Sequence, residues 1–291
     1  MLLSMTGYGR ATKSIDSKTI TIEIRSLNSK FTDLRFKLPQ NYKEKEIELR
    51  KIITQRAERG KIDAQLDVKS LTGEGEFGLN KALFSRYYRE LSSLREDLNI
   101  PNGDMLQSII RLPNVIAAEE GSINEEEWKT VLAALQEALD KFMKFRTDEG
   151  QVMEKDCRLR IRNILANLNE IKPFEKARVE KVRKRIEQHM EEYVGKDNID
   201  ANRFEQEILY YLEKIDITEE KVRLEQHCHY FIEELDKSTT QKGRKLSFIS
   251  QEIGREINTL GSKANSSDIQ RFVVKMKDEL EKIKEQVANS V

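Results

Sequence analysis

In the strand-like stretches before about residue 70 the apolar residues of this chain recur at every second position, and beyond about residue 80 they recur every three or four. A period of two belongs to a strand with one buried face, and a period of 3.6 to an amphipathic helix. The switch fixes the fold class as α+β: a small N-terminal mixed α/β sheet domain followed by a large, elongated α-helical region. TITIEIRSL (19–27) alternates, and so does the stretch around Phe31, Leu34, Phe36 and Leu38, which ends at Pro39. Asn28-Ser29 suits a turn between them. MLLSMTGYGRA (1–11) reads as the first strand, with Gly7 and Gly9 marking a bend or a close backbone approach. A helix over 42–58 and a strand over 61–70 complete a β-β-β-α-β pattern. Gly73, Gly75 and Gly78 then form a loop.

Three regions follow from this pattern: 1–78, 79–200 and 201–291. Past residue 80 almost no strand signal remains. Helices are expected over 83–98 and 104–111, with Pro113 and Gly121 interrupting the pattern. The stretch 125–194 reads as two long helices that meet near Pro173, because proline breaks the backbone hydrogen-bond ladder. Four more helices are expected over 202–213, 218–238, 244–261 and 266–289.

Composition narrows the function classes. No run approaches the roughly 20 apolar residues of a membrane span, and MLLSMTGYGR lacks the pattern of a signal peptide. Cys157 and Cys228 have neither disulfide-framework nor zinc spacing. A cytoplasmic protein is expected. GEGEFG (73–78) lacks the GK[ST] ending of a phosphate-binding loop, so no nucleotide cofactor is expected. Lysine plus arginine balances aspartate plus glutamate at 51 each, which counts mildly against a nucleic-acid binder. Binding depends on local patches, however, and 175–190 and 241–263 each carry a surplus of three positive charges. Such surpluses also occur on ordinary solvated helices.

One polar arrangement stands out. With about 100° per residue, Leu246, Ile249, Ile253, Ile257 and Leu260 share one sector of a helix, and Glu252, Glu256, Thr259 and Lys263 line its flank. In the preceding helix Leu224, Cys228, Phe231 and Leu235 make the apolar stripe, and Glu220, Arg223 and His227 lie beside it. If the stripes pack together, Glu220, His227, Glu252 and Glu256 can converge. Imidazole and carboxylate together suit Mn²⁺ or Mg²⁺. Arg223, Arg244, Arg255 and Lys263 could hold phosphate oxygens. The same residues have plain uses. Glu219 and Glu220 follow Thr218, a good N-cap, and can answer the helix dipole. Glu252 and Glu256 can form a solvated flank, and His227 can be a hydrogen-bonded histidine near the core. His189 and His229 have no partner pattern.

SMTGYGR (4–10), EIRSLNSKFTDLRFKLP (23–39), RGK (59–61), EGQVMEKD (149–156), DITEEKVRLEQHCHYF (216–231), GRKLSFISQEIGREINTLGSKAN (243–265) and KMKDELEKIKEQVAN (275–289) together closely resemble the YicC/YloC family of bacterial proteins. The resemblance runs essentially end to end. It implies a divalent-metal-dependent endoribonuclease that favours Mn²⁺. It also implies a homo-oligomer, a hexamer, that clamps RNA in a channel. Carried onto this sequence, it makes His227, Glu252 and Glu256 candidates for metal binding or water activation, with Glu220 a fourth member. Arg223, Arg244, Arg255 and Lys263 would hold the scissile phosphate and its neighbours. Tyr8, Phe31 and Phe36 could stack on bases, although core packing is the more ordinary use of each. The competing reading is a non-catalytic RNA-binding or scaffold protein that works through a partner nuclease. A structural assembly of long helices is a third.

Overall fold

A computed structural model describes residues 1–16, 18–29, 31–57, 59–70, 78–99, 101, 103–117, 123–194, 201–239 and 242–291. Strands β1 (Gly7–Ile15), β2 (Lys18–Leu27), β3 (Asp33–Lys37) and β4 (Lys61–Ser70) form one sheet in the order β1-β2-β4-β3. The β1–β2 and β2–β4 pairs are antiparallel and the β3–β4 pair is parallel. The sheet is therefore mixed, as the sequence predicts. A parallel pair needs a crossover, here a 3₁₀ turn (Gln40–Lys45) and α1 (Glu46–Ala57).

The chain forms two compact units, Gly7–Met143 and Met1–Thr6 with Lys144–Val291. In the first, Ile20, Ile22 and Ile24 of β2 and Ile62, Ala64 and Leu66 of β4 turn to one side of the sheet. There they meet Leu49, Ile53 and Ala57 of α1 and the start of α4 (Glu125–Glu170), through Val131, Leu135 and Phe142. Thr12, Thr21, Glu23 and Arg25 belong to the opposite, polar side. β1 runs so close to α4 that a Cβ on Gly9 would lie 2.1 Å from the Ala138 carbonyl oxygen. The expected close approach is thus real at Gly9. Phe36 packs against this core, but Phe31 and Tyr8 are exposed, and the Arg25 guanidinium lies 5.6 Å from the Tyr8 ring centroid.

The same unit holds α2 (Lys81–Asp97), capped by Asn80, and α3 (Met105–Ile110), capped by Asp104. β5 (Gly78–Leu79) and β6 (Ile116–Ala117) pair antiparallel. Strands this short show no alternation, so the sequence gives no sign of them. The glycine loop at Gly73 and Gly75 lies outside the described residues.

The second unit contains the rest of α4 with α5 (Lys172–Val194), α6 (Ala201–Ile215), α7 (Thr218–Asp236), α8 (Gly243–Ala264) and α9 (Ser267–Ala288). The break between α4 and α5 falls at Ile171. Pro173 sits in the first turn of α5, where its missing N–H would have had no partner anyway. The expected apolar stripes of α7 and α8 are buried and join Cys157, Ile161 and Ile164 of α4 and Val273, Met276 and Leu280 of α9 in one core. Burial pushes both the Cys157 and Cys228 thiols up to about 12, which leaves them inert packing groups.

Residues 1–6 do not extend β1. Leu2 is instead fully buried in the core of the second unit. Its N–H donates to Glu154 (3.2 Å), and a Cβ on Gly150 would fall 2.1 Å from its carbonyl oxygen. The chain's last residues close over it: Met5 N–H donates to Asn289 O (2.7 Å) and Val291 N–H to Leu3 O (3.0 Å). No helix among the described residues is long and apolar enough to cross a membrane.

Gly9→Ala forces a carbonyl and a β-carbon apart and is expected to cost about 1–3 kcal/mol, lowering the urea midpoint. Gly103→Ala, with nothing within 4 Å of the added carbon, is expected to leave it unchanged.

Candidate active site

α7 and α8 pack antiparallel through their apolar stripes, and two ion pairs bracket the seam. At one end Lys263 Nζ lies 2.7 Å from Glu220 Oε1, and at the other Lys245 Nζ lies 2.7 Å from Glu234 Oε2. On α7, Glu220, His227 and Glu234 are seven residues apart, so they stay within about 40° of one another around the helix. On α8, Lys245 and Lys263 are separated by five full turns of about 18 residues, and Glu252 and Glu256 fall about 20° to either side of that line. The faces that carry the two end pairs therefore also carry His227 and the two glutamates. His227 stands midway between Glu220 and Glu234. Gly254, flanked by Glu252 and Glu256, stands midway between Lys245 and Lys263. Register and face together put the His227 position level with those of Glu252 and Glu256 along the seam.

The expected convergence of Glu220, His227, Glu252 and Glu256 into one ligand set is not met within the chain. Among the described residues no group of three or more His, Cys, Asp or Glu side chains is placed to share a metal ion. Glu220 sits two turns from His227 along α7 and is held by Lys263 instead. Its Oε2 is buried and has no hydrogen-bond partner among the described residues. Glu256 is 6% exposed, and neither it nor Glu252 or His227 forms a side-chain hydrogen bond or ion pair among the described residues. The ends of the seam are neutralised and its middle is not.

The basic residues divide. Lys263 is committed to Glu220, whose hydrogen bond raises the lysine pKa. Arg223 pairs with Glu219 at 2.5 Å on the exposed side of α7. Arg244 and Arg255 have no side-chain partner among the described residues. They share an exposed stripe of α8 with Phe248, Gln251, Asn258 and Ser262, next to the glutamate line. Thr218 is not the N-cap of α7. That position is Ile217, whose apolar side chain cannot cap, and Asp216 just before it accepts from the Thr218 N–H (3.0 Å) and hydroxyl (2.7 Å).

The far end pair was missed by sequence reasoning, although its signal is present. Glu234 continues the seven-residue series of Glu220 and His227, and Lys245 lies on the line of Lys263. Burial works to raise the Glu234 pKa, but hydrogen bonds from Lys237 and Lys245 outweigh it, and the carboxyl titrates below its ordinary value. Glu154 and Glu279 are depressed in the same way, by Arg158 and the Leu2 N–H, and by Asn163 and Arg160. A depressed carboxylate contributes stability that is complete above the ordinary value near pH ~4.3 and is lost as pH falls through the folded value. The stability of this unit is accordingly expected to decline below about pH 4, and Glu234→Gln should flatten that decline in acid-dependent urea unfolding. Lys263→Met, which leaves Glu220 buried and unpaired, should destabilise by about 1–3 kcal/mol.

Residues 2–155 match the family model described as endoribonuclease YicC-like, N-terminal region, and residues 171–290 match that described as endoribonuclease YicC-like, C-terminal. A protein of Clostridioides difficile (strain 630) named "Probable endoribonuclease YicC" is 30% identical over 293 residues, with 99% of each chain covered. A Haemophilus influenzae protein of the same name is 30% identical over 291 residues, again with 99% of each chain covered. With both halves matched and end-to-end relatives on record, this chain belongs to the endoribonuclease YicC-like family.

Proposed function

We propose that the chain is an endoribonuclease that hydrolyses phosphodiester bonds of RNA with the help of a divalent cation, Mn²⁺ in preference to Mg²⁺. Its family membership carries the reading, since both family regions and both end-to-end relatives bear that activity in their names. In the seam, the supporting observation is Glu256, a buried carboxylate with no ion pair among the described residues. Leaving a charge buried and unpaired costs free energy unless a ligand completes it. The donor types fit: one imidazole and two carboxylates suit a borderline or hard divalent ion.

In this proposal His227, Glu252 and Glu256 would hold the ion after their side chains close together, since among the described residues no three such groups are placed to share one. When bound, such an ion polarises the phosphodiester and lowers the pKa of the attacking water. Arg244 and Arg255 bind phosphates on either side of the reacting one, each through paired N–H donors. Glu220 keeps Lys263 at the end of the seam. Arg223 and Lys263 reach RNA by exchanging their present carboxylates for phosphates. The working form is a homo-oligomer, a hexamer. Leu209, Tyr210 and Tyr211 of α6 are exposed and supply apolar surface for a second copy to cover.

The test is cleavage of an end-labelled RNA by the whole chain with Mn²⁺, with EDTA, and with Glu252→Gln or Glu256→Gln. Cleavage is expected to stop in EDTA and to fall roughly a hundredfold or more in either variant, with RNA binding retained. Cutting that survives both treatments would place the chemistry elsewhere. Binding without cutting by the unaltered chain would favour the RNA-binding scaffold. Arg255→Ala should weaken RNA binding and make it less salt-dependent.

A further inference from the structure

A second polar feature of the helical unit lies away from this seam, where α5 passes the connection between α8 and α9. Arg178, Lys181 and Arg185 lie on one face of α5 and line a groove whose other wall is Asn265, Ser266, Ser267 and Asp268. Asn265 ends α8 in the left-handed region, at φ 41° and ψ 40°, and so turns the backbone sharply into α9. Ser266 is the N-cap of α9 but makes no side-chain capping bond. The N–H groups of Ser267, Asp268 and Ile269 accordingly have no acceptor among the described residues. This is the positive end of a 22-residue helix.

Arg178 is the independent observation. It is 7% exposed, donates from Nη1 to the Ala264 carbonyl oxygen (3.2 Å), and its buried Nε has no acceptor among the described residues. Capping the end of α8 accounts for one of its donors and not for the rest. The two carboxylates closest in effect, Glu175 and Asp216, are both taken. Glu175 holds Lys221 at 2.6 and 2.8 Å, and Asp216 holds Thr218. A buried guanidinium without a carboxylate is costly unless an anion is bound beside it. Within the groove Asp268 is one carboxylate against three cations.

We propose that this groove is a phosphate-binding site, with Arg178, Lys181 and Arg185 facing the anion from one side and the Ser266 and Ser267 hydroxyls and the first N–H groups of α9 facing it from the other. A tetrahedral dianion uses many donors at once, which is what the two walls offer, whereas a carboxylate would leave most of them idle. A free ion and a phosphate within an RNA strand share this chemistry. The proposal does not depend on the seam between α7 and α8 or on any cleavage by it.

The experiment is equilibrium dialysis of the whole chain at constant ionic strength against labelled inorganic phosphate. It is repeated with a short oligoribonucleotide bearing a 5′-phosphate and with the same strand lacking it. Lys181→Ala/Arg185→Ala alters two exposed side chains and is expected to keep the fold. Arg178→Met tests the buried cation, with circular dichroism to check its folding. Saturable binding of inorganic phosphate that falls roughly tenfold or more in the double variant supports a site for the free ion. Binding of RNA alone that falls equally in that variant supports the same site with the phosphate on the strand, and dependence on the 5′-phosphate tells a terminal from an internal one. If neither phosphate nor RNA binding changes in the double variant, or if neither binds, the proposal is overturned. Should Arg178→Met fail to fold, the double variant decides alone.

Discussion

Leu246, Ile249, Ile253, Ile257 and Leu260 of α8 are almost wholly withdrawn from water, and the helical unit is arranged around them. α8 packs against α7 on one side and α9 on the other, so its apolar width sets where both neighbours lie. At roughly 1.5–3 kcal/mol for each fully buried aliphatic side chain, this stripe is a large source of attraction in the unit. It is not directional along the helix axis, however. The ion pairs Glu220–Lys263 and Glu234–Lys245 select the register, because sliding α7 by one turn would leave two nearly buried carboxylates without cations.

That division of labour explains why the centre of the seam is electrostatically different from its ends. Each end has an acid on α7 and a base on α8. The centre has acids on α8 and a histidine on α7. Nothing in the packing requires this. A seam built only for stability would continue the acid–base alternation, so the exception at Glu252, Glu256 and His227 is where a ligand-binding role is best sought. The exposed line of Arg244, Phe248 and Arg255 runs beside it and combines cations with an aromatic face, a pairing suited to a flexible polyanion with flat bases.

Much of this was legible in the sequence because periodicity reports burial directly. The strands over 19–27 and 61–70, the helix break near Pro173 and the stripes of α7 and α8 all follow from which residues must avoid water. Three kinds of feature were not. Residues 1–6 read as strand because alternation cannot tell which core an apolar residue will join, and Leu2 joined the helical one. Phe31 and Tyr8 are exposed although aromatic side chains ordinarily find a core, and sequence carries no signal for that choice. Two-residue strands such as β5 and β6 are too short to show a period. At the candidate site, the faces were readable from spacing and the distances were not. Whether side chains on facing stripes meet depends on helix separation and rotamer, which the one-dimensional pattern does not contain. The guanidinium of Arg178 shows the same limit, since within EKARVEKVRKRIEQHM it looks like any other solvated cation.

The clasp of Leu3, Met5, Asn289 and Val291 has a consequence for how the molecule is made. Residues 1–6 take their partners at residues 146, 150 and 154 and again at 289–291, all far away in sequence. Contacts so distant close long loops, and the entropy of closure has to be met before they stabilise anything. Until then Leu2, Leu3 and Met5 stand in water, and any change that loosens the segment 289–291 would return a hydrophobic strip to the surface, where a chaperone or a protease can find it.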